Sequence, residues 1–251
     1  MAPVGRDDNP DVVRPIVLSG RNRCKTRCVT PANRDLIDLS HTIVDGMETY
    51  PGLPGPVIGT HLSREAAEEL YGPGVRFHIG LITICANTGT YLDVPFHRYD
   101  DGHDLSGLPL ARVADVPAVC LDRRGRRSID LTDEELAGTA GHAVLVRTDH
   151  SRRFGTEAYA GDHPHLSSTA AGALERAGVA CVGIDSLNID ATSDPSRPVH
   201  SILLAAGIPI IEHLTNLDRL PPSGFRFSAV PPKIEGVGTF TVRAFASIPR
   251  D

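Results

Sequence analysis

The 251-residue sequence lacks the features of several large classes of protein. No apolar run approaches the roughly 20 residues that cross a bilayer, and the first residues lack the apolar core of a secretory signal. Tryptophan is absent, aromatic residues make up 5% of the chain, and the net charge of -6 leaves no basic stripe with interleaved aromatics. We therefore predict a soluble, cytoplasmic protein with a small-molecule partner, no membrane contact and no nucleic acid.

The cysteines do not form a disulfide framework. There are five, an odd number, and three of them lie in apolar runs where reduced, buried thiols are expected. Cys24 and Cys28 form a lone C-x3-C with no second ligand pair. We interpret them as two thiols on a mobile arm rather than as a zinc site.

Pattern and composition divide the chain into an arm and one domain. Residues 1–33 are rich in Arg, Pro, Asp and Asn and predict a flexible arm, whereas residues 34–251 predict a single catalytic domain. Apolar or β-branched runs predict strands at LIDLSHT, FHIGLITICA, PAVCLD, HAVLVRT, ACVGIDS and IPIIEHL, and helices are predicted at SREAAEELYG, TDEELAG and STAAGALERAG. Alternating elements of this kind favour an α/β domain with a mixed sheet.

The stretch ANTGTYLDVPFH, residues 86–97, combines groups that could hold a polar ligand. Asp93 and His97 lie four residues apart, and Pro95 between them excludes a regular helix. Gly89, between two threonines, allows close approach of the backbone to a ligand. A structural turn with a surface histidine explains this stretch equally well.

A second polar group lies far away in the sequence, between residues 185 and 214. Glu212 ends an apolar strand, and His200 precedes a short helical pattern, SILLAAG. A carboxylate on an apolar strand is costly to bury unless it is paired or binds a cation. Glu212 is therefore a candidate site residue.

Taken together, these residues make the chain similar to a known family. The stretch N-T-G-T-Y-L-D-V-P-F-H follows the pattern H-x-G-T-H-x-D-x-P-x-H, and His200, the segment 207–210 and Glu212 follow its later motif. From Leu36 to Ile248 the chain resembles the cyclase-like, metal-dependent hydrolases that include bacterial kynurenine formamidase and isatin hydrolase. The resemblance implies a swivelling β/β/α-type domain with a mixed sheet, a homodimer or homotetramer, and hydrolysis of an amide or lactam by metal-bound water.

The resemblance also implies which residues hold metal. In two-metal relatives, both motif histidines bind the first ion with the shared Asp and Glu, but here those positions are Asn87 and Tyr91. The second ion keeps its ligands, which are Asp93, His200 and Glu212. We therefore predict at most one Zn or Mn ion, or a metal-free site.

Three residues are predicted to be catalytic. The resemblance makes His97 the proton shuttle, which suits a neutral imidazole near pH 7. Asn87 and Tyr91 are weak zinc ligands, but both can donate hydrogen bonds to a developing oxyanion.

The leading hypothesis is a hydrolase of an amide, lactam or ester-like bond in a small cyclic or aromatic substrate. Loss of the first-ion histidines favours an alternative, a metal-independent cyclase or dehydratase of secondary metabolism. A third hypothesis is a non-catalytic ligand-binding protein on the same fold.

Overall fold

A computed structural model of the chain describes residues 33–250. Most of the predicted arm, residues 1–32 with Cys24 and Cys28, lies outside the described residues. Within them, Cys85, Cys120 and Cys181 are free thiols; Cys181 is buried, as predicted, whereas Cys85 and Cys120 are only partly buried. No helix of this part of the chain combines the length and apolarity needed to cross a membrane.

Strands and short helices alternate along the described residues. The strands are β1 (Arg34–Asp38), β2 (Val57–Leu62), β3 (Ile79–Thr83), β4 (Tyr91–Asp93), β5 (Val116–Asp122), β6 (Ser128–Ile129), β7 (Ala143–Arg147), β8 (His165–Leu166), β9 (Cys181–Ile184), β10 (Ile210–Glu212), β11 (Phe225–Ser228), β12 (Thr239–Thr241) and β13 (Phe245–Pro249). The α-helices are α1 (Arg64–Tyr71), α2 (Ser168–Ala177) and α3 (Pro198–Ala205). Short 3-10 helices occupy Pro95–His97, Leu110–Arg112, His150–Arg153, Glu157–Tyr159 and Leu217–Arg219.

Nine strands form one mixed sheet in the order β1-β13-β11-β5-β7-β9-β10-β4-β12. The four strands β5, β7, β9 and β10 are parallel, and antiparallel strands flank them on both sides. The predicted α/β class with a mixed sheet is confirmed. The apolar runs that predict β7, β9 and β10 correspond to central strands that are buried on both faces. The run that predicts β5 forms a central strand with one face only partly buried.

Alternate residues of the central strands feed two apolar cores on opposite faces of the sheet. Leu145 and Ile211 belong to one core, whereas Val144, Val146 and Ile210 belong to the other, together with α2 and α3. Because side chains alternate along a strand, Glu212 is on the face of Ile210, which α3 covers. The sheet therefore brings its buried carboxylate to the face where His200 of α3 lies.

Local signals place two helices correctly and one wrongly. Ser167 caps the first turn of α2, and Gly178 ends it in the left-handed conformation. The predicted helix at TDEELAG is wrong, because the segment forms turns. Thr132 and Glu135 make reciprocal capping contacts there, but Gly138, with φ of 81°, stops the turns from continuing into a helix.

The strand predicted at FHIGLITICA is present as β3, but it lies outside the main sheet. It pairs only with β2, in a two-stranded hairpin. Both strands expose large apolar side chains, including Val57 (60%), Leu81 (58%) and Ile82 (60%). A hairpin of two strands is marginally stable alone in water, and exposed apolar patches of this kind mark interaction surfaces.

We propose that this hairpin packs against a second copy of the chain in the expected homodimer or homotetramer. Its strands carry no acidic residue, lysine or arginine, so two copies can face each other without charge repulsion, as a symmetric interface requires. In light scattering after gel filtration, the protein should elute as a multiple of 26.8 kDa. Leu81→Glu should dissociate it, whereas Leu110→Glu, at another exposed leucine (62%), should not. A monomeric native protein, or an assembly that survives Leu81→Glu, would contradict this assignment.

Candidate functional site

One edge of the main sheet positions three of the predicted site residues. In the register of β4 with β10, Tyr91 lies opposite Glu212, and in the register of β4 with β12, Asp93 lies opposite Thr239. Directly opposed residues of antiparallel strands project from the same face. The strand pairing therefore creates a polar cluster from segments that are more than 100 residues apart in sequence.

The two histidines come from helices that follow this edge. His97 ends the 3-10 helix directly after β4. His200 lies in the first turn of α3, because this helix begins about one turn before the SILLAAG segment in which the sequence predicts it. Their ring centroids are 5.9 Å apart. The backbone of His97 passes so close to Gly238 that a Cβ there would lie 2.3 Å from the His97 nitrogen, so only glycine fits.

All six predicted site residues line one cavity of about 330 Å³: Asn87, Tyr91, Asp93, His97, His200 and Glu212. Gly89 does not line it. Its positive φ of 66° forms a turn, and its amide donates to Thr49 rather than facing a ligand. The turn places the side chains of Asn87 and Tyr91 at the same cavity, as the sequence predicts.

The cavity floor holds two buried carboxylates around one imidazole nitrogen. His200 Nε2 lies 3.8 Å from Asp93 Oδ2 and 3.8 Å from Glu212 Oε1. Asp93 Oδ2 is fully buried and has no hydrogen-bond partner. Burial lowers the pKa of His200, but the hydrogen bond to Asp190 and the carboxylates of Asp93 and Glu212 outweigh burial and raise this pKa to about 10. Burial raises the pKa of Glu212 to about 7, although the charge of His200 opposes this shift.

Sequence reasoning missed Asp190, which orients His200. The imidazole Nδ1 donates to Asp190 Oδ2 at 2.6 Å, and the Asp190 carboxylate also accepts the backbone N–H groups of Val199 and His200. With Nδ1 occupied, Nε2 is the nitrogen left to face the cavity. A carboxylate behind a histidine is the arrangement that fixes metal-binding imidazoles.

The donor set at the floor fits one cation. Asp93, His97 and His200 offer ligand atoms within 4.8 Å of one another, and theirs is the one such group among residues 33–250. Glu212 lies outside that group, although its Oε1 faces His200. The unpaired Asp93 oxygen and the excess of carboxylates supply the negative charge that a divalent ion needs.

Thr239 links His97 to Asp93 and was also missed by sequence reasoning. Its hydroxyl donates to Asp93 Oδ1 and lies 2.8 Å from His97 Nδ1. Since the only hydroxyl hydrogen goes to the carboxylate, the Thr239 oxygen must accept the Nδ1 hydrogen of His97. In the neutral ring, this contact fixes the tautomer that has no hydrogen on Nε2, as a general base requires.

The Tyr91 hydroxyl stands at the centre of a buried chain of hydrogen bonds. It donates to Glu212 Oε2 at 2.6 Å and accepts from His213 Nε2 at 3.3 Å. His213 Nδ1 in turn accepts from the Tyr159 hydroxyl at 2.7 Å. Burial raises the pKa of both tyrosines and lowers that of His213 to about 3, so all three groups are neutral near pH 7.

Hydrogen bonds fix the position of the Glu212 carboxylate, in addition to its attraction to His200. Besides Tyr91, it accepts the backbone N–H of Ile189 at 2.6 Å on Oε1, and the amide of Asn188 lies 3.5 Å from Oε2. The amide of Asn87 lies beside the Tyr91 hydroxyl. The Tyr91 hydroxyl can donate to a substrate only if its hydrogen bond to Glu212 breaks. Its role as a donor to the oxyanion therefore stays a prediction.

Comparisons with known proteins point to one family. A family model described as "Putative cyclase" matches residues 37–191. Kynurenine formamidase of Salinibacter ruber is 30% identical over 219 residues, covering 83% of this chain and 95% of the relative.

Solved structures share the fold. An isatin hydrolase bound to the product analogue thioisatinate superposes with a TM-score of 0.74 at 22% identity, covering 87% of this chain and 94% of the other. Isatin hydrolase A from Ralstonia solanacearum gives a TM-score of 0.70 at 25% identity, covering 86% and 92%. The predicted hydrolase class is confirmed, and the chain belongs to the cyclase family.

Proposed function

We propose that this protein hydrolyses the C–N bond of an amide or lactam in a small cyclic or aromatic substrate. The observation that carries the proposal is the buried group of Asp93, His200 and Glu212, with its unpaired Asp93 oxygen, directly beside His97 in one cavity. The relatives support the choice of bond, since they include kynurenine formamidases and isatin hydrolases.

In this reaction His97 moves the protons. Its bare Nε2 takes a proton from the attacking water, whose oxygen bonds to the carbonyl carbon. The C–N bond then breaks, and His97 returns the proton to the leaving nitrogen, which yields an amine and a carboxylic acid. The Nδ1 contact with Thr239 keeps the ring in the tautomer that this step requires.

Asp93, His200 and Glu212 would hold the metal. A divalent ion there supplies Lewis-acid polarisation of the carbonyl and lowers the pKa of water. Asp190 keeps the His200 ring oriented, and the hydrogen bonds from Tyr91 and Ile189 hold Glu212 in place.

We expect at most one transition-metal ion per chain. Elemental analysis of protein purified without a chelator should give one equivalent or less of Zn or Mn, because Asn87 and Tyr91 are poor ligands. Asp93→Asn should lose that ion, whereas Asp185→Asn, at a buried carboxylate outside the cavity, should keep it. Two equivalents that resist dialysis would contradict the one-ion site.

The activity itself is tested with two substrates. The metal-loaded protein should release formate from an N-aryl formamide or open the ring of isatin, with a kcat that falls when the protein is dialysed against a chelator. Binding of both compounds without turnover in metal-loaded protein would overturn the proposal in favour of a non-catalytic ligand-binding protein.

A further inference from the structure

A second cavity lies at the carboxyl ends of the parallel strands β5 and β7. It has a volume of about 420 Å³, and the segments that follow these strands supply most of its lining. Among residues 33–250, it shares no lining residue with the cavity of the candidate site. The carboxyl ends of parallel strands are where α/β sheets bind ligands. The side chains that carry the argument below are Arg124, Arg126, Arg127, His150, Arg153 and His163.

Two of the four arginines in this lining have no carboxylate partner. Arg127 pairs with Asp162 of the same lining, and Arg124 pairs with an aspartate beside the cavity. Among residues 33–250, no carboxylate lies within 4.0 Å of the side-chain nitrogens of Arg126 or Arg153. Two guanidinium groups on opposite loops are therefore available to an anion.

The loop after β7 is held in place from below by a buried carboxylate. Asp185 accepts the backbone N–H groups of Thr148 at 2.7 Å and Asp149 at 2.9 Å, and the Thr148 hydroxyl at 2.6 Å. The side chain of Asp149 is itself bound by Arg147 and Arg152, which lie outside the lining. This wall is therefore fixed before a ligand arrives, which lowers the entropic cost of binding, and its own acid is already neutralised.

Two buried histidines of the lining each have an unused acceptor nitrogen. His150 Nε2 lies 2.9 Å from the carbonyl of Tyr159, and His163 Nδ1 lies 3.1 Å from that of Pro164. A carbonyl oxygen only accepts, so these two nitrogens carry the ring hydrogens. Burial lowers the pKa of both rings, that of His163 to about 4, so they are neutral near pH 7. Within the described chain, His150 Nδ1 and His163 Nε2 have no hydrogen-bond partner.

A phosphate group matches this combination better than a carboxylate does. Its three terminal oxygens can accept from several guanidinium groups at once. Because its second pKa is about 6, part of the phosphate still carries a hydroxyl near pH 7, and that hydroxyl can donate to a bare imidazole nitrogen. A carboxylate has two oxygens and no hydrogen at this pH, so it would leave the imidazole nitrogens unmatched.

The same lining argues against a nucleic-acid surface. No Phe, Tyr or Trp is among the described residues that line the cavity, so bases have none of the large aromatic rings on which they usually stack. The chain as a whole carries a net charge of -6, which would repel a long polyanion outside this cavity.

We propose that this second cavity binds the phosphate group of a small molecule, with Arg126 and Arg153 donating to its oxygens and His150 accepting from its hydroxyl. The site is separate from the cavity of Asp93, His97 and His200, and the proposal does not depend on the hydrolase reaction.

The first test is calorimetric titration of the full chain with glycerol phosphate and with glycerate, its carboxylate counterpart. Glycerol phosphate should bind at least about 10-fold more tightly. The double variant Arg126→Gln with Arg153→Gln should weaken its binding by about 10–100-fold, the effect of losing charge-assisted contacts, and lysine at both positions should restore part of it. Both arginines are exposed, so folding should be unaffected. Arg219→Gln, at an exposed arginine outside the cavity, should bind like the native protein.

Two further probes identify the source of the phosphate. Tighter binding of glycerol phosphate than of inorganic phosphate would support a phosphorylated small molecule as the ligand, whereas equal binding would support free phosphate. Absence of binding, equal binding of glycerate, or full affinity in the double glutamine variant would overturn the site. A single-stranded oligonucleotide that binds more tightly than either phosphate, and is lost in the same variant, would overturn the small-molecule assignment in favour of nucleic acid.

Discussion

Replacement of His97 with alanine should lower kcat by about 10²–10⁴-fold, the usual contribution of a positioned acid–base group. The side chain is half-exposed at the cavity wall, so folding should be nearly unaffected and substrate binding should survive. The measurement is kcat and KM on whichever substrate the native enzyme hydrolyses, together with thermal unfolding.

Metal content decides between two roles that the geometry allows for His97. Its ring offers a ligand atom within 4.8 Å of those of Asp93 and His200, so His97 could bind the ion instead of moving protons. If His97 is the proton shuttle, His97→Ala should keep the metal of the native protein. Loss of the ion in His97→Ala would contradict the shuttle and make His97 the third ligand in place of Glu212.

Thr239 provides a matched pair of variants for the same question. Thr239→Val keeps the shape of the side chain but removes both the donor to Asp93 and the acceptor for His97. Thr239→Val should lower kcat, because the ring of His97 loses the contact that fixes its tautomer. Thr239→Ser keeps the hydroxyl and should retain the native kcat. Equal activity in Thr239→Val and the native enzyme would show that Thr239 only fills space.

The sequence predicts the central strands and the main site residues because their signals are local. The run HAVLVRT contains four consecutive apolar residues. In the parallel strand β7 these four residues are buried on both faces of the sheet. The helix α2 carries both of its caps within its own segment. Asp93, His97, His200 and Glu212 follow a family pattern that a single chain can display.

The partners that orient these residues depend on the order of strands, which no local pattern contains. Thr239 reaches Asp93 across 146 residues only because β12 pairs with β4. Asp190 lies ten residues before His200 in the sequence, but nothing in the spacing indicates that its carboxylate meets the imidazole. Likewise, β-branched content predicts β3 as a strand without showing that it leaves the main sheet.

Tyr91→Phe should reduce turnover by an amount equivalent to about 2.7–4 kcal/mol if its hydroxyl assists the developing oxyanion with Asn87. The variant also leaves His213 Nε2 without an acceptor and removes one donor to Glu212. Unfolding free energy should therefore fall as well, by about 1–3 kcal/mol for the unpaired buried groups.

Tyr159→Phe separates the two effects. Its hydroxyl lies on the far side of His213 and outside the cavity of the site, so it should lose similar stability with little change in kcat. Equal losses of kcat in the two variants would mean that Tyr91 acts only by maintaining the buried hydrogen bonds that link Tyr159, His213 and Glu212. A kinetically silent Tyr91→Phe would make it a packing residue.

The reverse experiment restores the ligand pattern of the two-metal relatives. The double variant Asn87→His with Tyr91→His places two imidazoles at the cavity beside Asp93 and Glu212, a donor set suited to a further Zn or Mn ion. Elemental analysis should then give a second equivalent of metal. Without the Tyr91 hydroxyl, Glu212 Oε2 loses its hydrogen-bond donor and becomes free to bind the added ion. The native reaction should slow, since the neutral donors are gone. A double variant that gains metal and keeps full native activity would show that Asn87 and Tyr91 only fill the place of the first ion.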